Sequence, residues 1–581
     1  MRTLALVPIL LAAVAASAQA PAPDPMLRAM HDEMERSLQL KVPDLQSPYF
    51  VEYLIDQADN FGVTASLGGL LSRRADHFRS PEVRVRVGDY QFDNTNFAGG
   101  FFGRARYDVG SFPIENSYSA MRRYLWLATD SAYKTSVETL SRKHAALRNL
   151  SVSEQLADFA HEQPVHLLRP LAEEKIDQDA WSNRVRKLSA VFDKFPDVKA
   201  SSVELESSQG GFYLVNSEGT EVRAPESIVY VRARASAQAP DGMVVRDAAT
   251  FLSPDAAHLP SEAEMTRGVA DLAQAVTALA HAPKGEDYSG PVLFEGEAGA
   301  QLFAQTLGEN LALTRRPVGG GGRGGGFQPS ELEGRIGARV LPESFTVVDD
   351  PTQKEWHGQM LTGGYEVDRE GVIPQPLHLV EKGVLKGYLL TRQPMRGFSA
   401  SNGRARLPGA FGVSGADFSN LFVTSSETVP VAELKKKLIE MCQARDKPYG
   451  IIVKRMDFPS SASVQEVRQI LTGEQTSSAH PVSLPIMVYK LYPDGREELV
   501  RGVRFRGLNT RSLKDIMAAG DDSAVFAFED NRAPFALMGA SNYSVETSVV
   551  APSVLIDDLE LHPVEEELPK LPVVPAPELL P

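Results

Sequence analysis

At 581 residues, 43% of them hydrophobic and 23% charged, the chain is globular, can bury large cores and should divide into at least two domains. A formal net charge of -15 argues against nucleic-acid binding, which relies on clustered positive charge to displace counterions. The single cysteine, Cys442, excludes an intrachain disulfide and any multi-cysteine metal site.

The chain opens on Met1-Arg2, an apolar run from Leu4 to Ala16 and the small residues Ser17-Ala18-Gln19-Ala20 before Pro21. Charge, apolar core and small-residue exit predict a secretory signal peptide over 1–20, and the run falls short of the about 20 apolar residues of a membrane anchor. The expected protein is exported, periplasmic or extracellular, with no membrane anchor.

Met26, Met30, Met34 and Leu38 recur every four residues and predict one side of a helix. From Tyr49 the texture becomes strand-like: residues 50–55, a Gly-broken run over 63–71, then Val83, Val85 and Val87 alternating with Arg84 and Arg86, the period-two mark of half-buried antiparallel strands. Residues 131–161 read as helices with a capping box at Ser151 and Glu154, and 177–195 as a helix bearing Trp181. Strands follow at 203–205, 211–215, 221–223 and 228–234, with the turn Asn216-Ser217-Glu218-Gly219 between the middle pair. A helix over 261–281 precedes Pro283-Lys284-Gly285, a predicted boundary. The fold class is α+β: an N-terminal mixed α/β region over 21–284, with a central part from about 177, then a mostly antiparallel β-rich domain over 285–561. The Pro/Glu-rich residues 562–581 are expected to be a disordered tail.

The run GGGGRGGG at 319–326 lacks the Lys-Ser/Thr ending of a phosphate loop and reads as a surface loop. His161-Glu162-Gln163-Pro164-Val165-His166 matches HExxxH as a string. Pro164 breaks any regular helix there, and positions five apart sit about 140° apart on an α-helix, so a helix end with surface histidines is expected. His357, His378 and His480 are scattered without a second histidine at metal spacing. Cys442, in the helix-like LKKKLIEMCQA, reads as a buried structural thiol. No Gly-x-Ser-x-Gly elbow supports a serine hydrolase.

Three stretches carry a resemblance: residues 201–234 around NSEGTEVR; Pro291-Val292-Leu293-Phe294 followed by EGEAGAQLFAQTLGENL; and YEVDREGVIPQPLHLVEKGVLKGYLLTR over 365–392, followed by SNGRARLPG and SNLFV. In order and spacing the chain resembles the TldD/PmbA family, the "modulator of DNA gyrase" family of metallopeptidase-related proteins. The resemblance implies a dimer, a peptide-accommodating cleft and, in TldD-type subunits, zinc held by HExxxH on the helix after the PVLF-like strand together with a C-terminal cysteine. PmbA-type subunits lack those ligands. Carried over, the two histidines and the glutamate fall on Ala304, Glu309 and Gln305. Alanine has no donor atom and glutamine no basic oxygen, whereas catalytic zinc takes about three protein ligands and a base for its water. Residues 538–552 hold no cysteine, and Met538 is where one would be placed.

The expected cofactor is therefore none, and Ala304 and Glu309 should face a cleft from a helix anchored by Leu302, Phe303, Leu307 and Leu311. Asn402, Gly403 and Arg404 are either a cleft loop that holds a peptide backbone or a turn. The functional expectations are a non-catalytic PmbA-like subunit pairing with a TldD-like partner, a stand-alone or homodimeric peptide binder, or a metallopeptidase with non-standard ligands.

Overall fold

The computed structural model describes residues 24–40, 46–99, 109–148, 156–173, 175–319, 327, 329–473, 480–537 and 543–564. The signal peptide, most of the Gly-rich run, the capping box at Ser151 and Glu154, Met538 and nearly all of the tail lie outside them.

Helix α1 (Pro25–Leu38) starts on Asp24, whose side chain accepts the Met26 N–H at 2.9 Å. It buries Met26, Met30 and Met34, while Leu38 is exposed at the end of the stripe. The chain then forms a hairpin of two 19-residue strands, β1 (Pro48–Ser66) and β2 (Gly69–Val87). Helix α2 (Tyr118–Leu147) follows, then β3 (His166–Leu168), α3 (Gln178–Ser189) with a 3-10 extension over Ala190–Lys194, β4 (Val198–Asn216), β5 (Glu221–Gln238), β6 (Val244–Ser253) and α4 (Glu262–His281). The short strand pairs read from the sequence fuse into long ones. Gly210 permits this inside β4, where a Cβ would stand 2.0 Å from the Gln57 carbonyl oxygen of β1. The predicted turn closes β4 onto β5, with Asn216 Oδ1 accepting the N–H groups of Glu218 and Thr220.

These strands form one six-stranded sheet, β2-β1-β4-β5-β3, with β6 on β5. Its odd-numbered face is covered by α1 and α2 at one end, over Val51, Tyr53, Ile55, Val83 and Val85, and by α3 and α4 at the other, over Phe61, Val63, Val203, Leu205, Val229 and Val231. The even-numbered face turns to the C-terminal half, where Leu54, Phe212, Leu214, Val222 and Ala224 pack on Val367.

From β7 (Tyr288–Phe294) onward the chain builds two further large sheets. One has eight strands, with β7 between Val554–Pro563 and Gly450–Met456. The other has six, with Phe345–Asp349 between Leu377–Glu381 and Asn420–Ser425, and Val545–Ala551 and Ala524–Asp530 beyond. The pairing is mostly antiparallel, as expected; the parallel pairs include Gly450–Met456 with β7 and Asn420–Ser425 with Val545–Ala551. Among the described residues no helix is long and apolar enough to cross a membrane.

Candidate functional site

At the end of β7, Gly296 adopts φ 60° and donates its N–H to Ser553 Oγ at 2.7 Å, turning the chain into the helix that the resemblance singles out. Helix α5 (Glu297–Phe303) passes into a π-helical stretch (Ala304–Gly308) and ends as α6 (Glu309–Leu311). The Glu309 N–H bonds to the Ala304 carbonyl, five residues back. Single π-turns are rare and concentrate at functional sites. Widening the turn frees carbonyls from their usual partners, and side chains take them up: Gln305 Nε2 donates to the Gln301 carbonyl at 3.1 Å, Thr306 Oγ1 to that of Leu302 at 2.6 Å and Asn310 Nδ2 to that of Thr306 at 3.0 Å. A consequence invisible to α-helical arithmetic follows. Residues five apart, about 140° apart on an α-helix, here lie one turn apart, so Ala304 and Glu309 share a side.

That side is not an open one at Ala304. The helix is wedged between the eight-stranded and six-stranded sheets, and every residue from Ala298 to Gly308 is buried. Leu302, Phe303, Leu307 and Leu311 anchor it as expected, but Ala304 belongs to the same fully buried core, which corrects the expectation of a cleft-facing position. A helix clamped between two sheets is apolar all round instead of amphipathic.

Gln305 is fixed from both ends of its amide: besides the Gln301 carbonyl, it accepts the Ser483 N–H at 2.7 Å. Gln301 likewise accepts the Met456 N–H at 2.7 Å and donates to the Phe458 carbonyl at 2.8 Å. A neutral amide satisfies a donor and an acceptor at once; a glutamate could do only the accepting half. Glu309 accepts from His480 Nδ1 at 3.1 Å. Burial pushes its carboxyl above the ordinary carboxylate range, and the His480 bond opposes that rise. The pairing spans 171 positions, so no spacing rule could have selected His480.

Asp417 and Asp530 lie near this helix. Phe418 packs beneath Gly308, and Phe418 and Phe528 are in ring contact. One oxygen of each acid accepts a backbone N–H, from Phe418 at 2.8 Å and from Arg532 at 2.9 Å; the other is buried without a hydrogen-bond partner among the described residues. Burial first, then the Asp530 carboxylate, raises the Asp417 carboxyl well above its usual range, against the pull of Arg532 and Arg406. Two such acids do not both ionise readily.

Among the described residues no group of three or more His, Cys, Asp or Glu is placed to hold a metal ion. The residues do not fit the zinc that the resemblance implies. Ala304 offers no donor, the Gln305 amide is spent within the chain, and Glu309 with His480 makes two donors where catalytic zinc takes about three.

The polar part of the even-numbered sheet face meets the C-terminal half nearby. Arg232 approaches Glu529 at 3.9 Å. Arg369 pairs with Asp56 and, at 3.1 Å, with Glu226, and it lies over the Phe212 and Tyr543 rings. Glu546 joins this group. Burial, reinforced by the Glu226 and Glu529 carboxylates, pushes its carboxyl up to about 8. Because the folded value lies above the unfolded one, the folded state keeps a proton that the unfolded chain releases, and stability falls as pH rises between the two values. Glu546→Gln should therefore match the native protein near pH 5 and exceed it at pH 9 by on the order of 2 kcal/mol, after a discount for partial exposure. Denaturant unfolding at the two pH values checks this, and equal effects at both would contradict it.

The other sequence candidates have structural places. Asn402 accepts the Leu390 N–H and donates to the Tyr388 carbonyl; Gly403, at φ 75°, donates to Ser401 Oγ and packs on Pro374; Arg404 is fully buried against Asp349. Their polar groups are engaged within the chain. His161 packs on the Tyr90 ring in a segment without helix, instead of at a helix end, and His166 begins β3 with Glu221 at 3.8 Å. Cys442 is buried in the helix Val431–Gln443, its Sγ 3.9 Å from Tyr288 Oη.

The profile described as the PmbA/TldA metallopeptidase C-terminal domain matches residues 287–562, the stretch that holds the π-turn and both C-terminal sheets. That C-terminal stretch belongs to the TldD/PmbA family. A metalloprotease of Archaeoglobus fulgidus is 37% identical over 78 residues, which are 13% of this chain and 17% of that relative's length. Two solved structures have the same fold: TldE from Thermococcus kodakarensis, at 14% identity and TM-score 0.56 over 92% of this chain and 100% of that one, and a proposed modulator of a DNA gyrase from Thermotoga maritima, at 14% identity and TM-score 0.55 over 88% and 96%. Within the TldD/PmbA frame, sequence reasoning found the helix but missed the π-turn and His480.

Proposed function

We propose that this protein is a non-catalytic, PmbA-like subunit of an exported peptidase that acts on unstructured peptides, with a TldD-like partner supplying the zinc chemistry. The observation that carries the reading is Gln305. At the family's general-base position stands a neutral amide whose two ends are tied to the Ser483 N–H and the Gln301 carbonyl, so it has no basic oxygen with which to take a proton from water. Export rests on the N-terminal leader pattern. The polar face between the N-terminal sheet and Glu529, Glu546 and Arg369 is the region we assign to peptide.

The protein purified alone should leave casein and unstructured peptides intact, with or without added zinc. Chelator-sensitive cleavage by a homogeneous sample would overturn the reading. Purification at native level from its source should bring down a stoichiometric zinc-bearing chain; recovery of a lone homodimer that binds peptide would favour a stand-alone binder instead.

A further inference from the structure

Strand β2 is the outer strand of the N-terminal sheet and pairs, among the described residues, with β1 alone. Its second half is covered, with Val83, Val85 and Val87 under α2, but every residue from Gly69 to Phe78 is exposed. The N–H and carbonyl groups along such an edge are a template for one more strand, and an extended peptide can be held there by its backbone while its side chains set the specificity.

The side chains of this half-strand say what such a peptide carries. On the odd-numbered face stand Arg73, Ala75, His77 and Arg79, a basic row on a chain whose formal net charge is -15. Arg73 is 39% exposed and pairs at 2.8 Å with Asp179, itself 83% exposed. An ion pair that open adds little, so a peptide carboxylate can replace it at small cost. Arg79 is held by neutral acceptors, Gln57 Oε1 at 3.0 Å, the Pro113 carbonyl at 3.2 Å and Asn116 Oδ1 at 2.6 Å, and makes no ion pair among the described residues. The even-numbered face differs: Arg74 and Asp76 offset each other there, and the Phe78 ring is exposed. Arg74 also reaches across Gly62 to Glu206 of β4 at 2.6 Å, so this face runs on into the polar region assigned to peptide. We propose, on the reading of this chain as a peptide-handling subunit, that the free half of β2 takes up an extended peptide as a further strand. Acidic side chains at its alternate residues stand along Arg73, His77 and Arg79, and apolar ones lie on the side of Phe78.

Fluorescence anisotropy with the purified full chain tests this, the probes being labelled, acetylated octapeptides that alternate glutamate with valine or lysine with valine. The glutamate peptide should bind about tenfold more tightly or better, and its lead should shrink as salt rises. Methylating its backbone nitrogens at one alternating set of residues should abolish binding and at the other set should not, because only alternate N–H groups of an added strand point at its neighbour. Arg73→Glu, a change at an exposed position, should weaken binding about fivefold or more, and Arg73→Lys should keep most of it. Equal binding of the two peptides, equal effects of the two methylated sets, or full affinity in Arg73→Glu would each overturn the edge site while leaving peptide handling in place. If neither these peptides nor unstructured casein fragments bind at all, the peptide-handling reading falls with it.

Discussion

Arg404→Ala is expected to cost on the order of 3–5 kcal/mol of stability, the range for leaving a buried ion pair with one partner. The guanidinium is fully buried. Its Nε donates to Asp349 Oδ2 at 2.7 Å, and its terminal nitrogens donate to the carbonyls of Asn402 at 2.6 Å, Gln375 at 2.7 Å and Asp349 at 3.1 Å. Asp349 is fully buried too, at the end of the strand Phe345–Asp349 in the middle of the six-stranded sheet, and also accepts from the Ser419 N–H and Oγ. Truncation strands a carboxylate and three carbonyls together. Arg404→Lys should recover part of the loss, because an ammonium keeps the charge but lacks the planar fork that reaches four acceptors. Urea unfolding measures both variants. A loss below about 1 kcal/mol for alanine would mean that water reaches Asp349 and that this loop belongs to a cleft after all.

How far the sequence reached depended on how local each signal was. Period-two alternation at Val83, Val85 and Val87, the Asn216–Gly219 turn and the 262–281 helix rest on neighbours within a few residues, and the fold contains all three. That helix starts on a capping box, Ser261 and Glu264 bonding reciprocally, which the sequence reading did not name. The length of β1 and β4 was not legible, because glycines at 62, 210 and 211 look like breaks unless it is known that β1 approaches the backbone at 210. The site failed for the same reason at longer range. A helix between two sheets loses its amphipathic signature, so the burial of Ala304 depends on strands more than 200 residues downstream. The Glu309–His480 pair and the two acids at 417 and 530 come together only through sheet order. The π-turn had a local trace, since Gln305, Thr306 and Asn310 each carry a donor able to reach back four residues, but such side chains occur in many regular helices as well.

Rebuilding the family's motif on this helix, with Ala304→His, Gln305→Glu and Glu309→His, is expected to lower stability and to give no zinc binding tighter than the native protein. The π-turn does bring positions 304 and 309 to one side, which is the geometry a pair of histidines would need. The surroundings oppose the donors. An imidazole at Ala304, a fully buried position beside Leu302, Phe303 and Leu307, overpacks the core at a cost of about 1–3 kcal/mol. A glutamate at 305 keeps the bond from Ser483 but sets an oxygen against the Gln301 carbonyl where an N–H now donates, costing about 1–3 kcal/mol more in a dry site. Histidine at 309 removes the carboxylate that His480 now faces and leaves two imidazoles together. With the third family ligand also absent, the two new imidazoles reach the about three donors zinc requires only by recruiting His480, which already faces position 309, and the packing that opposes an imidazole at 304 opposes that cluster. Thermal unfolding should show the drop, and calorimetric titration should show zinc uptake unchanged, with Gln305→Glu alone carrying a measurable part of the instability. If the triple variant instead takes up one zinc per chain with micromolar affinity or better, the helix opens to a metal-competent cleft, and only the missing donors, not the core around them, separate this helix from a zinc site.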